Sequence, residues 1–250
     1  MNRLGLLPIF LTVLGLSMLG ACEAGSAAPI NGDDEGNHLT GTPRADTMRG
    51  FAGDDNIEAL GGDDHIEGMG GRDSLFGGEG RDSIDGGSDA DHAYGGPGID
   101  QLIGLDGQDR LYGEEGPDAL SGGEDDDHLY AGGGGGVASG GTGEDDLVGG
   151  GGRDRLDGEA DDDKVAGVSG DDQLQGGRGD DLLHGEGGDD SIFGEIGRDI
   201  MQGGDGDDFI NATDGVPGDK VDCGPGSEDF AQVDDGDSVT NCETVRSPGD

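Results

Sequence analysis

The sequence predicts an all-β solenoid of short parallel strands, stacked coil on coil and closed by a small C-terminal cap. Three observations predict it. Residues 50–211 divide into eighteen consecutive nine-residue units with no insertion or deletion. Position six is Asp in seventeen of the eighteen units, with Gly136 as the exception, and position eight is Ile, Leu, Val or Met in sixteen, with Ala93 and Ala138 as the exceptions. The chain of 250 residues carries 60 Gly, no Trp and a net charge of −45, too little large apolar material for a core of two ordinary packed layers. A fixed short period decides the architecture, because one unit cannot bury its apolar face alone and does so only against its neighbours.

Residues 1–21 read as an export signal. Arg3 supplies the charged start and residues 4–19 the apolar segment. That run is shorter than the roughly 20 residues of a spanning helix, and Pro8 interrupts it. Its end, Leu19-Gly20-Ala21-Cys22, resembles the lipobox of bacterial lipoproteins. The resemblance implies an acylated Cys22 and contact with a membrane through that lipid only. Ordinary secretion, with cleavage near Ala24 or Ala28, is the alternative. The expected location is therefore the cell surface, as an outer-membrane lipoprotein, or the extracellular medium.

Residues 22–40 are small and polar and read as a tether. Asn37-His38-Leu39 and Asp46-Thr47-Met48 already match positions six to eight in register with the array, so ordered coils are expected to begin near Gly32 or Gly41. Within residues 41–211 each unit divides in two. The glycine-rich first half is predicted as a turn, with positive φ or close backbone approach at positions one, two and four. The second half is a minimal strand whose middle aliphatic points inward. With two units per coil, Ile57, Leu75 and Ala93 form one column and Ile66, Ile84 and Leu102 the facing one. The unit from Ala131 to Ser139 lacks an acid and has only Ala138 at its core position, so the coil is weak there, and whether the array splits at Gly136 is left open.

Residues 212–250 keep the pattern loosely and are expected to form a cap and a tail. The chain has 3 Cys, an odd number for an exported protein. With Cys22 lipidated, Cys223 and Cys242 remain as a disulfide pair, the default in an oxidising compartment. Closing that loop stabilises the end by roughly 3 kcal/mol on the chain-entropy model.

The unit Gly77-Gly78-Glu79-Gly80-Arg81-Asp82-Ser83-Ile84-Asp85 shows the full pattern, G-G-x-G-x-D-x-U-x with U a large aliphatic. It resembles the RTX, or haemolysin-type, calcium-binding nonapeptide. The resemblance implies a right-handed parallel β-roll with calcium between the turns of adjacent coils, held by the position-six Asp and by turn carbonyls. One edge would use Asp55, Asp73, Asp91, Asp109, Asp127, Asp145, Asp163, Asp181 and Asp199. The other would use Asp64, Asp82, Asp100, Asp118, Asp154, Asp172, Asp190 and Asp208, interrupted at Gly136. If every other gap fills, about fourteen Ca2+ ions are accommodated, roughly +28 of charge, and folding is expected to be coupled to calcium. Asp89, Asp125 and Asp161 replace the fourth glycine and are expected to be tolerated, because Asp accepts left-handed backbone better than most residues.

Charge of this sign repels phosphates, which excludes nucleic acid as a partner. His65, His92, His128 and His184 have no zinc-like spacing and read as solvent-facing strand residues. Arg72, Arg81, Arg153 and Arg198 at position five read as local charge compensation. Carboxylates that recur at every turn fit a structural ladder rather than one acid–base site, and no nucleophile motif is present. The expected function is calcium binding without catalysis, in a structural or adhesive role with a cell-surface or matrix partner. A hydrolase or toxin relative carrying such repeats, and a passive calcium buffer, are the alternatives.

Overall fold

The computed structural model describes residues 28–247. The expected export signal, residues 1–21, and Cys22 lie outside the described residues.

The described chain alternates strictly between two parallel sheets, one of 13 strands and one of 12. Strands two apart in sequence are neighbours, so each pair of units makes one coil. The first sheet starts at Ile30–Asn31 and the second at His38–Thr40. Both run to the far end, finishing at Thr244–Arg246 and Ser238–Thr240.

The two apolar columns stand as the period requires. Ile57 pairs with Leu75 and Leu75 with Ala93, while Ile66 pairs with Ile84 and Ile84 with Leu102. These residues are at most 1% exposed. The core is a double file of single aliphatics, one per unit, and burying each contributes roughly 1.5–3 kcal/mol.

The strands are longer than the sequence suggested. A typical one, Ser83–Ser88, covers six residues, running from position seven through position three of the next unit. Positions one to three therefore belong to the strand, and the turn is confined to positions four to six. The reason is that positions two and three pair across the ladder, as Gly87 does with Leu105 and Ser88 with Asp106, with the buried first glycine between them and the core strand. Position two has positive φ whether it is Gly87 (φ 116), Met69 (φ 80) or Val168 (φ 82).

The array does not split at Gly136. Ala138 pairs with Leu120 on one side and Leu156 on the other, and Ala138 is fully buried. The backbone ladder needs no side chain, so it crosses the weak unit intact.

Beyond Asn211 both sheets continue with longer turns. Successive position-six residues, 18 apart in the array, become 20 apart at Asp199–Asp219 and 21 at Asp208–Asp229. Cys223 and Cys242 form the expected disulfide, with Cα atoms 5.1 Å apart.

An aromatic ladder on the second sheet was not anticipated. Phe76, Tyr94, Tyr112 and Tyr130 stack at centroid distances of 4.9, 4.9 and 5.0 Å, within 6° of parallel. All four occupy position nine, and the 18-residue coil places them directly above one another. Such cross-strand aromatic pairs add about 0.5–1.5 kcal/mol each.

Candidate functional site

Each coil delivers two aspartates, one to each long edge. All seventeen position-six aspartates of the array are buried, none more than 3% exposed. One column runs from Asp55 to Asp199. The other runs from Asp64 to Asp208 with its gap at Gly136. The structure therefore brings together, edge by edge, the two sets that the sequence separates.

The carboxylates are oriented in the same way throughout. Oδ1 accepts the backbone N–H of the aspartate one coil earlier, as in Asp55 N to Asp73 Oδ1 (2.8 Å) and Asp73 N to Asp91 Oδ1 (2.7 Å). The carbonyl of each aspartate accepts from the following coil, as Ser74 N donates to Asp55 O at 2.8 Å. The Oδ2 atom is turned inward, towards position one of its own unit, a glycine in every such unit but that of Ala59 and Asp64. A Cβ built on Gly68 would lie 2.4 Å from Asp73 Oδ2 and 2.5 Å from the Gly86 carbonyl oxygen. Oδ2 is buried without a hydrogen-bond partner in every one of the seventeen. A buried carboxylate oxygen left unsatisfied is costly, and here the cost repeats at each turn.

Burial therefore drives these acids away from ionisation. On the first edge it raises Asp91, Asp127 and Asp163 to about 8, and neighbouring carboxylates add to the effect. Asp73, Asp109, Asp145 and Asp181 rise to about 6 for the same first reason. On the second edge Asp190 reaches about 7, and Asp64, Asp100, Asp154 and Asp208 about 6. Burial also raises Asp55, Asp82, Asp118 and Asp172.

These oxygens fit a hard cation. Carboxylate and backbone carbonyl oxygens are the donors Ca2+ takes, and a dication beside each orphaned Oδ2 would remove the penalty of burying it. Among the described residues no three His, Cys, Asp or Glu side chains converge as a metal cluster, so backbone carbonyls would have to complete any coordination sphere. The gap at Gly136 is sealed. Its N–H still donates to Asp154 Oδ1 at 2.5 Å, but it brings no carboxylate to Asp118. A Cβ built on Gly136 would meet the Asp118 carbonyl oxygen at 2.9 Å and the methyl of Ala131, which replaces the usual first glycine, at 3.1 Å.

A family model for the RTX calcium-binding nonapeptide repeat, four copies long, matches residues 31–66, 58–93, 67–102, 103–138, 139–174, 166–201 and 194–216. The chain belongs to this family. No curated protein matches it. As an RTX chain it extends its aspartate columns past the regular units. Asp46 precedes the second column, with its N–H donating to Asp64 Oδ1 at 2.7 Å. Asp219 and Asp229 follow the two columns, accepting from Asp199 and Asp208 at 2.9 and 2.8 Å. Asp219-Lys220-Val221 keeps the repeat signature in looser form and reads as part of the cap, whereas Asp229 was missed because the lengthened turns move it out of the nine-residue phase. The dipeptides Lys220-Val221 and Phe230-Ala231 behind them are the signal that marks them.

The remaining candidates take lesser roles. Asp89, Asp125 and Asp161 hold φ of 77, 76 and 82° and are exposed. His65 contacts Glu67 at 3.0 Å and His128 contacts Asp146 at 3.4 Å. His92 lies 3.0 Å from the Arg110 guanidinium, and burial and that charge both lower its pKa. Arg153 pairs with Asp171 at 3.4 Å.

Proposed function

We propose that this RTX chain is an exported calcium-binding β-roll whose folding is coupled to calcium, working at the cell surface in a structural or adhesive role and not as a catalyst. One observation carries the calcium-coupled part: a buried Oδ2 without a partner recurs at every aspartate of the array. A single orphaned oxygen could be a local defect, but a repeating column of them calls for a repeating cation. Bound calcium supplies two positive charges and accepts oxygen donors from the columns.

The net charge of −45 supports the coupling. Self-repulsion opposes compaction of the free chain, and the thin aliphatic columns offer little to set against it. The non-catalytic part rests on the repetition: each edge presents the same group many times and gathers no distinct acid, base and nucleophile. Export, the Cys22 lipid and a surface or matrix partner rest on the sequence of residues 1–22 and on the disulfide, which suits an oxidising compartment.

The test is far-UV circular dichroism of residues 23–250 during a calcium titration, with magnesium and EDTA as controls. A cooperative gain of β structure with calcium alone is the expected result. A β spectrum that persists in EDTA would show that the aliphatic columns suffice without the ion.

A further inference from the structure

The family match ends at residue 216, yet both aspartate columns continue, and they end differently. On the first edge the last carboxylate is Asp237. Its Oδ1 accepts the N–H groups of Gly218 (2.9 Å) and Asp219 (3.2 Å), and its Oδ2 accepts Asp234 N–H at 2.7 Å. Backbone donors occupy both oxygens, so Asp237 serves as a turn brace.

On the second edge the last carboxylate is Glu243. Asp229 donates its N–H to Glu243 Oε2 at 3.1 Å, as each array aspartate donates to its successor. Thr244 N–H donates to Asp229 O at 3.0 Å, which completes the same pairing. Asp229 is wholly buried, and its Oδ2 has no hydrogen-bond partner. A Cβ built on Gly226 would lie 2.2 Å from the Gly206 carbonyl oxygen and 2.4 and 2.5 Å from the two Asp229 carboxylate oxygens. Three oxygens thus crowd the space beside Gly226, and only a glycine leaves it open.

The spacing explains the disulfide. Asp229 and Glu243 are 14 residues apart, where the array uses 18. The longer side chain of Glu makes up part of the shortfall, and the cross-link fixes the rest. Cys223 is fully buried at the foot of the unit that ends in Asp229, and Cys242, bonded to it, immediately precedes Glu243. The final strand Thr244–Arg246 is exposed at every residue, so apolar burial does little to hold Glu243 in place.

We infer that Asp229 and Glu243, with the Gly206 carbonyl beside them, form a terminal site for a divalent cation of the calcium class, and that the Cys223–Cys242 disulfide assembles it. This inference rests on the calcium reading proposed above. The test is hydrogen exchange of the full chain against calcium concentration, for the wild type, Glu243→Gln, and Cys223→Ser with Cys242→Ser. Wild-type residues 229–246 gain protection with calcium. Glu243→Gln and the double cysteine variant each raise the calcium needed by that segment roughly tenfold or more, while protection of residues 50–211 shows that the variants fold. A tail that responds in the variants as in the wild type, with the array still calcium-dependent, overturns the terminal site alone. An array and tail both indifferent to calcium overturn the calcium reading, and the terminal site with it.

Discussion

Asp73 and Gly68 share one volume. Oδ2 of the aspartate lies 2.4 Å from the position a Cβ would take on the glycine. The first glycine of the repeat is thereby explained by space rather than by backbone angle, since the carboxylate of the same unit turns in over its α-carbon. Asp at position six and Gly at position one act together in sixteen of the seventeen units that carry the aspartate, and in the other Ala59 stands beside Asp64.

Substituting Gly68 by Ala should therefore disturb the site directly. The new methyl meets Asp73 Oδ2 and the Gly86 carbonyl, and overpacking of this kind costs roughly 1–3 kcal/mol. Gly133→Ala is the control, because the nearest atom to its Cβ is 3.9 Å away. Thermal melting in excess calcium should show a clear loss for the first and little change for the second. Equal melting temperatures would mean that the carboxylate has somewhere else to go.

The calcium-free fold should gain stability in acid. Asp91, Asp127 and Asp163 titrate near 8 in the folded chain against an ordinary 3.8. A raised acid binds its proton more tightly when folded, so its contribution is complete below about 3.8 and is lost as pH rises through about 6 and then 8. In EDTA, circular dichroism should show more β structure at pH 5 than at pH 8. Protons compete with calcium for the same oxygens, so calcium affinity should change in the opposite sense and rise with pH.

Position two offers a stabilising substitution. Val168 holds φ at 82°, a conformation that costs an L residue roughly 1–2 kcal/mol and a β-branched one no less. Val168→Gly relieves this but gives back about 0.5–1 kcal/mol of chain entropy. A net gain of roughly 0.5–1 kcal/mol is expected, read as a higher melting temperature in saturating calcium. An unchanged or lower value would show that the Val168 side chain makes contacts worth more than its backbone strain.

The period made most of this molecule legible in advance. It placed Ile57 over Leu75, and it separated the aspartates of the two edges. It did not reveal that position one lies in the strand, because a glycine reads equally well as a turn. The rings of Phe76, Tyr94, Tyr112 and Tyr130 went unnoticed as a ladder because position nine tolerates any residue, so four aromatics at 18-residue intervals carry no local signal. Asp229 was lost to a change of phase, and Glu243 to a change of residue and of spacing together. Only the register of the sheets shows that they continue the column.

The break at Gly136 should be repaired most fully as a pair. Ala131 carries a methyl where the repeat has glycine, and that methyl stands 3.1 Å from the Cβ that Gly136→Asp would introduce. Ala59 shares its unit with the buried Asp64, so alanine at position one does not bar the acid, but the carboxylate must settle against a methyl rather than a glycine. Ala131→Gly alone opens the space but adds no oxygen, and Gly136→Asp alone adds the oxygen in a tighter space. Together they should restore an acid between Asp118 and Asp154, whose N–H and Oδ1 already stand in ladder register. The double variant should bind up to about two further calcium ions per chain, measured by equilibrium dialysis with elemental analysis, whereas each single variant should bind fewer. That non-additivity is what two residues sharing one volume require. Single and double variants that bind the same amount of calcium would mean that Ala131 and Gly136 vary independently and that the sealed gap is not a coupled pair.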